Sequence, residues 1–182
     1  CQISPFGSPP GESIHLETSP QNDSLKLLFV GSMSQRKGLA DLFEAMKSLK
    51  CEPVSLSILG QPSMSMEFYR NQFSEFKYFP PCSNQKVRAI MKGHDVLVLP
   101  SIVEGRALVQ QEALSCGLPI IVTPNAGGED LVDKGITGHL VPIRSPEKIA
   151  HAIRAMIENK NYKEEIRKFC QKKAMEYSWA SY

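Results

Sequence analysis

Short apolar runs alternate with amphipathic stretches along most of this chain. Leu25-Lys-Leu-Leu-Phe-Val-Gly31 is a brief, nearly continuous apolar run closed by glycine, the pattern of a strand covered on both faces. Leu39, Leu42, Phe43, Met46 and Leu49 then recur at helical spacing. Reading on in the same way predicts further strands at 54–60, 77–80, 95–99, 119–122 and 139–141. Helices are predicted at 66–75, 84–91, 107–116, 129–133, 146–158 and 163–176. In the helix at 146–158, Ser145 offers a cap and Pro146 takes the first position. Ile149, Ala150, Ala152, Ile153, Met156 and Ile157 share one face of it, with His151 on the solvent side. Six strands separated by helices give an α/β fold: βαβ units around a six-stranded, mostly parallel sheet covered on both faces. Residues 1–24, rich in Ser, Pro and Gly and without periodicity, read as linker or lead-in, leaving 25–182 as the domain.

Composition narrows the class. At 182 residues with 42% hydrophobic and 22% charged residues, the chain is long enough to bury about 70% of its unfolded surface and too apolar for disorder. Its longest apolar runs fall well short of the ~18–20 residues of a membrane span. A formal charge of +2 gives no case for nucleic acid. Cys1, Cys51, Cys82, Cys116 and Cys170 are irregularly spaced, which argues against a disulfide scaffold or a zinc site and favours a reducing, cytoplasmic setting. His15, His94, His139 and His151 form no cluster with them, so no metal is expected. The chain opens on Cys1 without a methionine, which reads as a piece of something longer.

In a parallel sheet of this kind, ligands bind beyond the carboxyl ends of the strands, at the loops 31–38, 60–64, 80–84, 100–107 and 123–129. The first of these, Gly31-Ser-Met-Ser-Gln-Arg-Lys-Gly38, is neither a Walker loop nor G-x-G-x-x-G, which counts against a nicotinamide or flavin cofactor. Arg36 and Lys37 either clamp phosphate oxygens there or stand as two solvated charges. The helix at 107–116 is more informative. A helical wheel puts Leu108, Val109, Ala113 and Cys116 in one sector, with Gln110, Gln111 and Ser115 on the other side. Glu112 falls inside the apolar sector, where a carboxylate needs a protein partner or a ligand that donates hydrogen bonds. Glu104 stands at the mouth of the same loop, and the amides of Gly105, Arg106, Ala107 and Leu108 open the helix as a second anion site.

Glu104 and Glu112 lie within Pro-Ser…Glu-Gly-x-x-Leu-Val…Glu-Ala-Leu-x-x-Gly-x-Pro-Ile-Ile. This pattern resembles the E-x7-E signature of retaining glycosyltransferase family 4, the glycosyl transferases group 1. Phe29-Val-Gly31 with Arg36-Lys-Gly38, Asp95-Val-Leu-Val-Leu-Pro-Ser101, Thr123-Pro-Asn-Ala-Gly-Gly-Glu-Asp130 and Gly138-His-Leu-Val-Pro142 agree in order. The resemblance covers roughly residues 25–158 and implies the C-terminal, donor-binding half of a GT-B enzyme, a three-layer Rossmann-like α/β domain with a six-stranded parallel sheet. It implies a nucleotide-diphosphate sugar of the UDP, GDP or ADP type as co-substrate, no metal, and transfer of a hexosyl group to an acceptor hydroxyl with retention. By that analogy Lys37 holds the donor diphosphate near Gly31, Ser32 and Arg36, and Glu104 contacts the sugar hydroxyls; these two are the catalytic candidates. Glu112 accepts from the ribose hydroxyls, the amides of Arg106, Ala107 and Leu108 face phosphate or sugar, and Pro80 lies where the base sits.

Two departures stand out: Ser32 occupies a position that is often arginine in the family, and Arg106 replaces an aromatic residue. They motivate one alternative, a nucleotide-sugar-binding domain without turnover; a second alternative is another GT-B relative, a nucleotide-sugar epimerase. The acceptor, a glycan or lipid-linked saccharide, is expected on an N-terminal domain absent from this sequence, with peripheral membrane association through such an acceptor. The isolated chain is then expected to bind nucleotide and transfer nothing.

Overall fold

The computed structural model describes residues 24–159 and 163–177. All but Ser24 of the expected lead-in, and the chain end around Trp179, lie outside the described residues. The strands are β1 (Leu25–Val30), β2 (Val54–Leu59), β3 (Phe76–Phe79), β4 (Val96–Leu99), β5 (Ile120–Val122) and β6 (Gly138–Leu140). They form one sheet in the order β3-β2-β1-β4-β5-β6, with all pairings parallel. Helices α1 (Leu39–Ser48), α2 (Met66–Gln72), α3 (Asn84–Lys92), α4 (Leu108–Ser115), α5 (Pro146–Glu158) and α6 (Lys163–Met175) connect and cover the strands.

The order reverses between β1 and β4. Right-handed crossovers therefore place α1 and α2 on one face of the sheet and α3 and α4 on the other. The helix pairings agree, since α1 packs on α5 and α4 packs on α6. Both faces being covered, the central strands are apolar without alternation: Leu27, Leu28 and Phe29 of β1 and all of β4 and β5 are buried. The elements follow the sequence pattern closely. Glu129–Leu131 is a single 3-10 turn, and a second one at Pro124–Ala126 carries no apolar period by which a sequence reading would find it. Ser145 does not cap α5; its hydroxyl donates to the carbonyl of Ile143 at 3.1 Å, so Pro146 alone marks the helix start.

At the amino ends of the strands, Asp95 ties three elements together. Its Oδ2 accepts the backbone amide of Lys26 at 2.9 Å, and its Oδ1 pairs with Lys163 and lies 3.8 Å from Arg167 of α6. Arg167, buried in this contact, also donates to the carbonyl of His94 at 2.8 Å. Cys51, Cys82, Cys116 and Cys170 are free thiols, and burial on the inner side of α6 pushes that of Cys170 up to about 12. Among the described residues no helix is long and apolar enough to cross a membrane.

Burial also lowers the pKa of His94 below its usual 6.5, against the opposing hydrogen bond to the carbonyl of Ile90 at 2.7 Å. A base whose folded pKa is depressed binds fewer protons folded than unfolded, so its contribution to stability falls as pH drops through and below about 6.5. Replacing His94 by Gln is expected to flatten the loss of stability between about pH 7 and 5, read from urea midpoints at both pH values. An unchanged slope refutes this assignment.

Candidate functional site

Three loops meet at the carboxyl ends of β1, β4 and β5, next to the point where the strand order reverses. The β1–α1 loop turns through a 3-10 segment, Gln35–Lys37, that ends on Gly38 with φ +71°. A side chain on Gly38 would place its Cβ 1.9 Å from the carbonyl oxygen of Pro100, so the loop lies directly on the end of β4. The amide of Ile102 donates to the carbonyl of Arg36 at 2.8 Å and fixes the register between them. The third loop is seated in the same manner. Gly127, at φ +69°, approaches Gly105 so closely that a Cβ would fall 2.0 Å from its carbonyl oxygen.

This packing brings the catalytic candidates into contact. Lys37 Nζ is ion-paired with Glu104 Oε2, and Arg36 Nη1 lies 3.6 Å from Glu104 Oε1. Lys37 and Glu104 are shielded, with 12% and 16% of their side chains exposed, whereas Arg36 is 55% exposed. The Lys37 side chain lies over the bare backbone of Gly31, its Cε 3.4 Å from where a Cβ would stand. Ser32 is half-buried beside it, its hydroxyl 3.2 Å from that of Ser34.

The other candidates are distributed along α4 and the sheet edge. Among the amides before α4, that of Ala107 donates to the carbonyl of Ala126 at 3.2 Å and so holds loop to loop. The amides of Leu108 and Val109 sit in the first helical turn, where the helix supplies no acceptor. Pro80 is exposed at the end of β3, two strand positions from β1, which is about 10 Å at ordinary strand spacing.

The wheel reading of α4 needs correction. Leu108 is half exposed, Gln110, Gln111 and Ser115 are buried, and Glu112 is half-buried rather than sunk in an apolar sector. The helix is covered by α6 as well as by the sheet, so its polar side chains are enclosed and pair with nearby backbone. Gln110 Nε2 donates to the carbonyl of Ala126 at 2.7 Å, and the Ser115 hydroxyl to that of Glu112 at 2.7 Å.

Arg106 turns toward the far side of its loop. Its Nη2 donates to Asp130 Oδ2 at 3.0 Å, and its guanidinium lies 5.6 Å from the ring centroid of Tyr177. Tyr177 in turn donates to the carbonyl of Asp130 at 3.2 Å, and burial, then the Asp130 carboxylate, raises its pKa. This clasp joins the Glu104 loop to the end of α6. Tyr69 is a second residue that sequence reasoning missed. Its hydroxyl donates to the carbonyl of Met33 at 2.5 Å and accepts the amides of Ser63 and Met64 at 3.0 and 3.1 Å, binding the β1 and β2 loops together. Concavities of about 380 and 570 Å³ flank α1–α2 and the β2–β3 face, yet neither is lined by Lys37, Glu104 or Glu112. The charged cluster is an open surface at the strand ends.

A shielded lysine and an exposed arginine with a carboxylate between them, in the loops next to a helix start, are suited to holding a phosphorylated ligand. Comparison with known proteins gives the family and the fold. A family model for glycosyl transferases group 1 matches residues 12–173, and the chain belongs to that family. A D-inositol 3-phosphate glycosyltransferase of Paenarthrobacter aurescens is 27% identical over 168 residues, covering 86% of this chain and 41% of its own. The C-terminal domain of the group 1 family protein LpcC from Francisella tularensis superposes with a TM-score of 0.75 at 16% identity, covering 85% of this chain and 87% of that domain. The Anabaena protein HepE in complex with UDP-glucose gives 0.76 at 19% identity, covering 90% of this chain and 50% of its own. The fold is thus that of the C-terminal Rossmann-like domain of GT-B glycosyltransferases. The chain spans about two fifths of the length of the curated relatives it matches, 43% and 41% for two of them.

Gly38→Ala tests the loop packing. A left-handed alanine and a forced shift of the Pro100 carbonyl together are expected to cost about 2–4 kcal/mol. The midpoint of thermal unfolding should fall by roughly 5–15 °C; a fall under 2 °C would show that the loops can part freely.

Proposed function

We propose that this chain is the donor-binding half of a retaining family 4 glycosyltransferase, which transfers a hexosyl group from a nucleotide-diphosphate sugar to an acceptor hydroxyl. The observation that carries the proposal is the contact of Lys37 and Arg36 with Glu104 beside the first-turn amides of α4, at the reversal of strand order. An elongated ligand laid across the strand ends would reach from Pro80, near the base, past Glu112, near the ribose, to Lys37 and Glu104 at the diphosphate and sugar. That path fits the open surface at the strand ends, whose opposite wall would belong to an acceptor-binding domain outside this chain.

As the acceptor hydroxyl attacks the anomeric carbon, the bond to the diphosphate oxygen breaks, negative charge accumulates on the departing phosphate, and the phosphate takes up the hydroxyl's proton. Lys37, Arg36 and the amides of Leu108 and Val109 would stabilise that charge, with Lys37 shared between the phosphate and Glu104. Glu104 would hold the sugar hydroxyls and so orient the anomeric carbon. With two cations and helix-start amides serving the leaving group, the reading requires no divalent metal. Arg106, held by Asp130 and Tyr177, would act here through its backbone and not through its guanidinium.

Thermal unfolding with a panel of UDP, GDP and ADP tests the reading. One of them at about 100 times its Kd is expected to raise the midpoint by roughly 5–10 °C. Glu112→Ala and Lys37→Met should each remove most of that rise while the unliganded midpoint moves little. No rise with any nucleotide, or a full rise in Glu112→Ala, refutes the site.

A further inference from the structure

We propose that Glu104 sets the selectivity of this site between a nucleotide sugar and the bare nucleoside diphosphate, because its carboxylate competes with a diphosphate for the same cations. The inference deepens the donor-site reading and rests on it.

Glu104 does not merely lie near the cationic loop. Its Oε2 is paired with Lys37 and its Oε1 lies 3.6 Å from Arg36, so one carboxylate engages both cations of that loop and offsets about half of their charge. Lys37 has little room to turn elsewhere, with its stem on the Gly31 backbone and 12% of its side chain exposed. The carboxylate is equally confined, since Gly127 braces Gly105 from below and the Ile102 amide is tied to Arg36. A diphosphate that reaches Lys37 must therefore share its ammonium with Glu104 or drive the carboxylate off it. Sharing sets two anions side by side in a poorly solvated corner, where their repulsion is weakly screened. Displacement leaves a shielded carboxylate that has lost its partner, which offsets part of the gain made at the phosphate.

The group attached beyond the diphosphate decides the balance. A nucleotide sugar carries hydroxyl groups just past the second phosphate, and each can donate to a carboxylate that Lys37 has released. Charge-assisted bonds of this kind are among the stronger hydrogen bonds. A bare nucleoside diphosphate has none to offer there and binds against an uncompensated Glu104. The ion pair thus works as an affinity difference, favouring the sugar-bearing ligand by penalising the one without it. After transfer, the same penalty falls on the product diphosphate and hastens its departure.

Replacing Glu104 by Gln keeps the shape and removes the charge, so the two ligands should respond in opposite directions. Calorimetric titration of the chain with UDP, UDP-glucose and inorganic diphosphate reads this directly, beside the Glu104→Asp and Glu104→Ala variants. E104Q is expected to bind UDP and inorganic diphosphate about 10-fold tighter than the unaltered chain. UDP-glucose should bind E104Q equally or more weakly, so the preference for the sugar-bearing ligand falls at least 10-fold. E104A should move the same way, which covers a failure of E104Q to fold, and E104D, with its charge retained, should stay near the starting preference. Binding of UDP to the unaltered chain that neither E104Q nor E104A tightens overturns the selectivity inference and leaves the donor reading standing. The reverse pattern, diphosphate tightened by E104Q while neither nucleotide binds any form of the chain, overturns the donor reading and the selectivity built on it.

Discussion

At the carboxyl end of the central strands, segments of main chain lie against one another with no room for a side chain between them. Gly38 rests on the carbonyl of Pro100 and Gly127 on that of Gly105, each at a positive φ that only glycine adopts without strain. Once these contacts are made, the positions of the intervening residues are largely fixed. Arg36 and Lys37 occupy the turn just before Gly38, and Glu104 immediately precedes Gly105, so the charged side chains meet because the backbone beneath them has been brought together. Their encounter is a product of loop packing and not of the weak pull that exposed ions exert on each other.

The reversal of strand order explains why the loops diverge there. Crossovers to the left of β1 and to the right of β4 send α1 and α4 to opposite faces, leaving a notch at the strand ends that neither helix closes. Lys37 and Glu104, from the loops after β1 and β4, meet there. The first turn of α4 begins four residues after Glu104, and its leading amides have no acceptor within the helix. A ligand with a line of negative charge matches this arrangement better than a compact one would.

Most of the architecture was legible in the sequence because both-face burial writes itself as uninterrupted apolar runs, and glycine ends them. The site loops were legible for a related reason: they had to come directly after those strands, and charged residues inside such loops are visible without knowing the fold. The face of α4 was misread because a wheel sorts residues by polarity alone. Gln110 and Ser115 are buried with backbone carbonyls accepting from them, and Leu108, in the first turn, is half exposed. The Arg106–Asp130–Tyr177 clasp and the Tyr69 hydrogen bonds left no local signal. Their partners are separated by 24 to 47 residues in one case and by up to 36 in the other, and only the folded chain joins them. Ser145 shows the converse limit, a good capping residue whose hydroxyl found a nearer carbonyl.

Asp95 gives the molecule a second pole. It gathers Lys26, Lys163 and Arg167 at the amino ends of the strands, the full length of the sheet from Glu104. One end of the parallel sheet therefore uses its charges as internal fasteners, while the other leaves them at a surface where a ligand can contend for them. Natural variation in these two charge clusters would then answer to different pressures. Drift around Asp95 is limited by what the fold will tolerate. Drift around Glu104 is free to track whichever ligand a given lineage happens to use, with the scaffold left untouched.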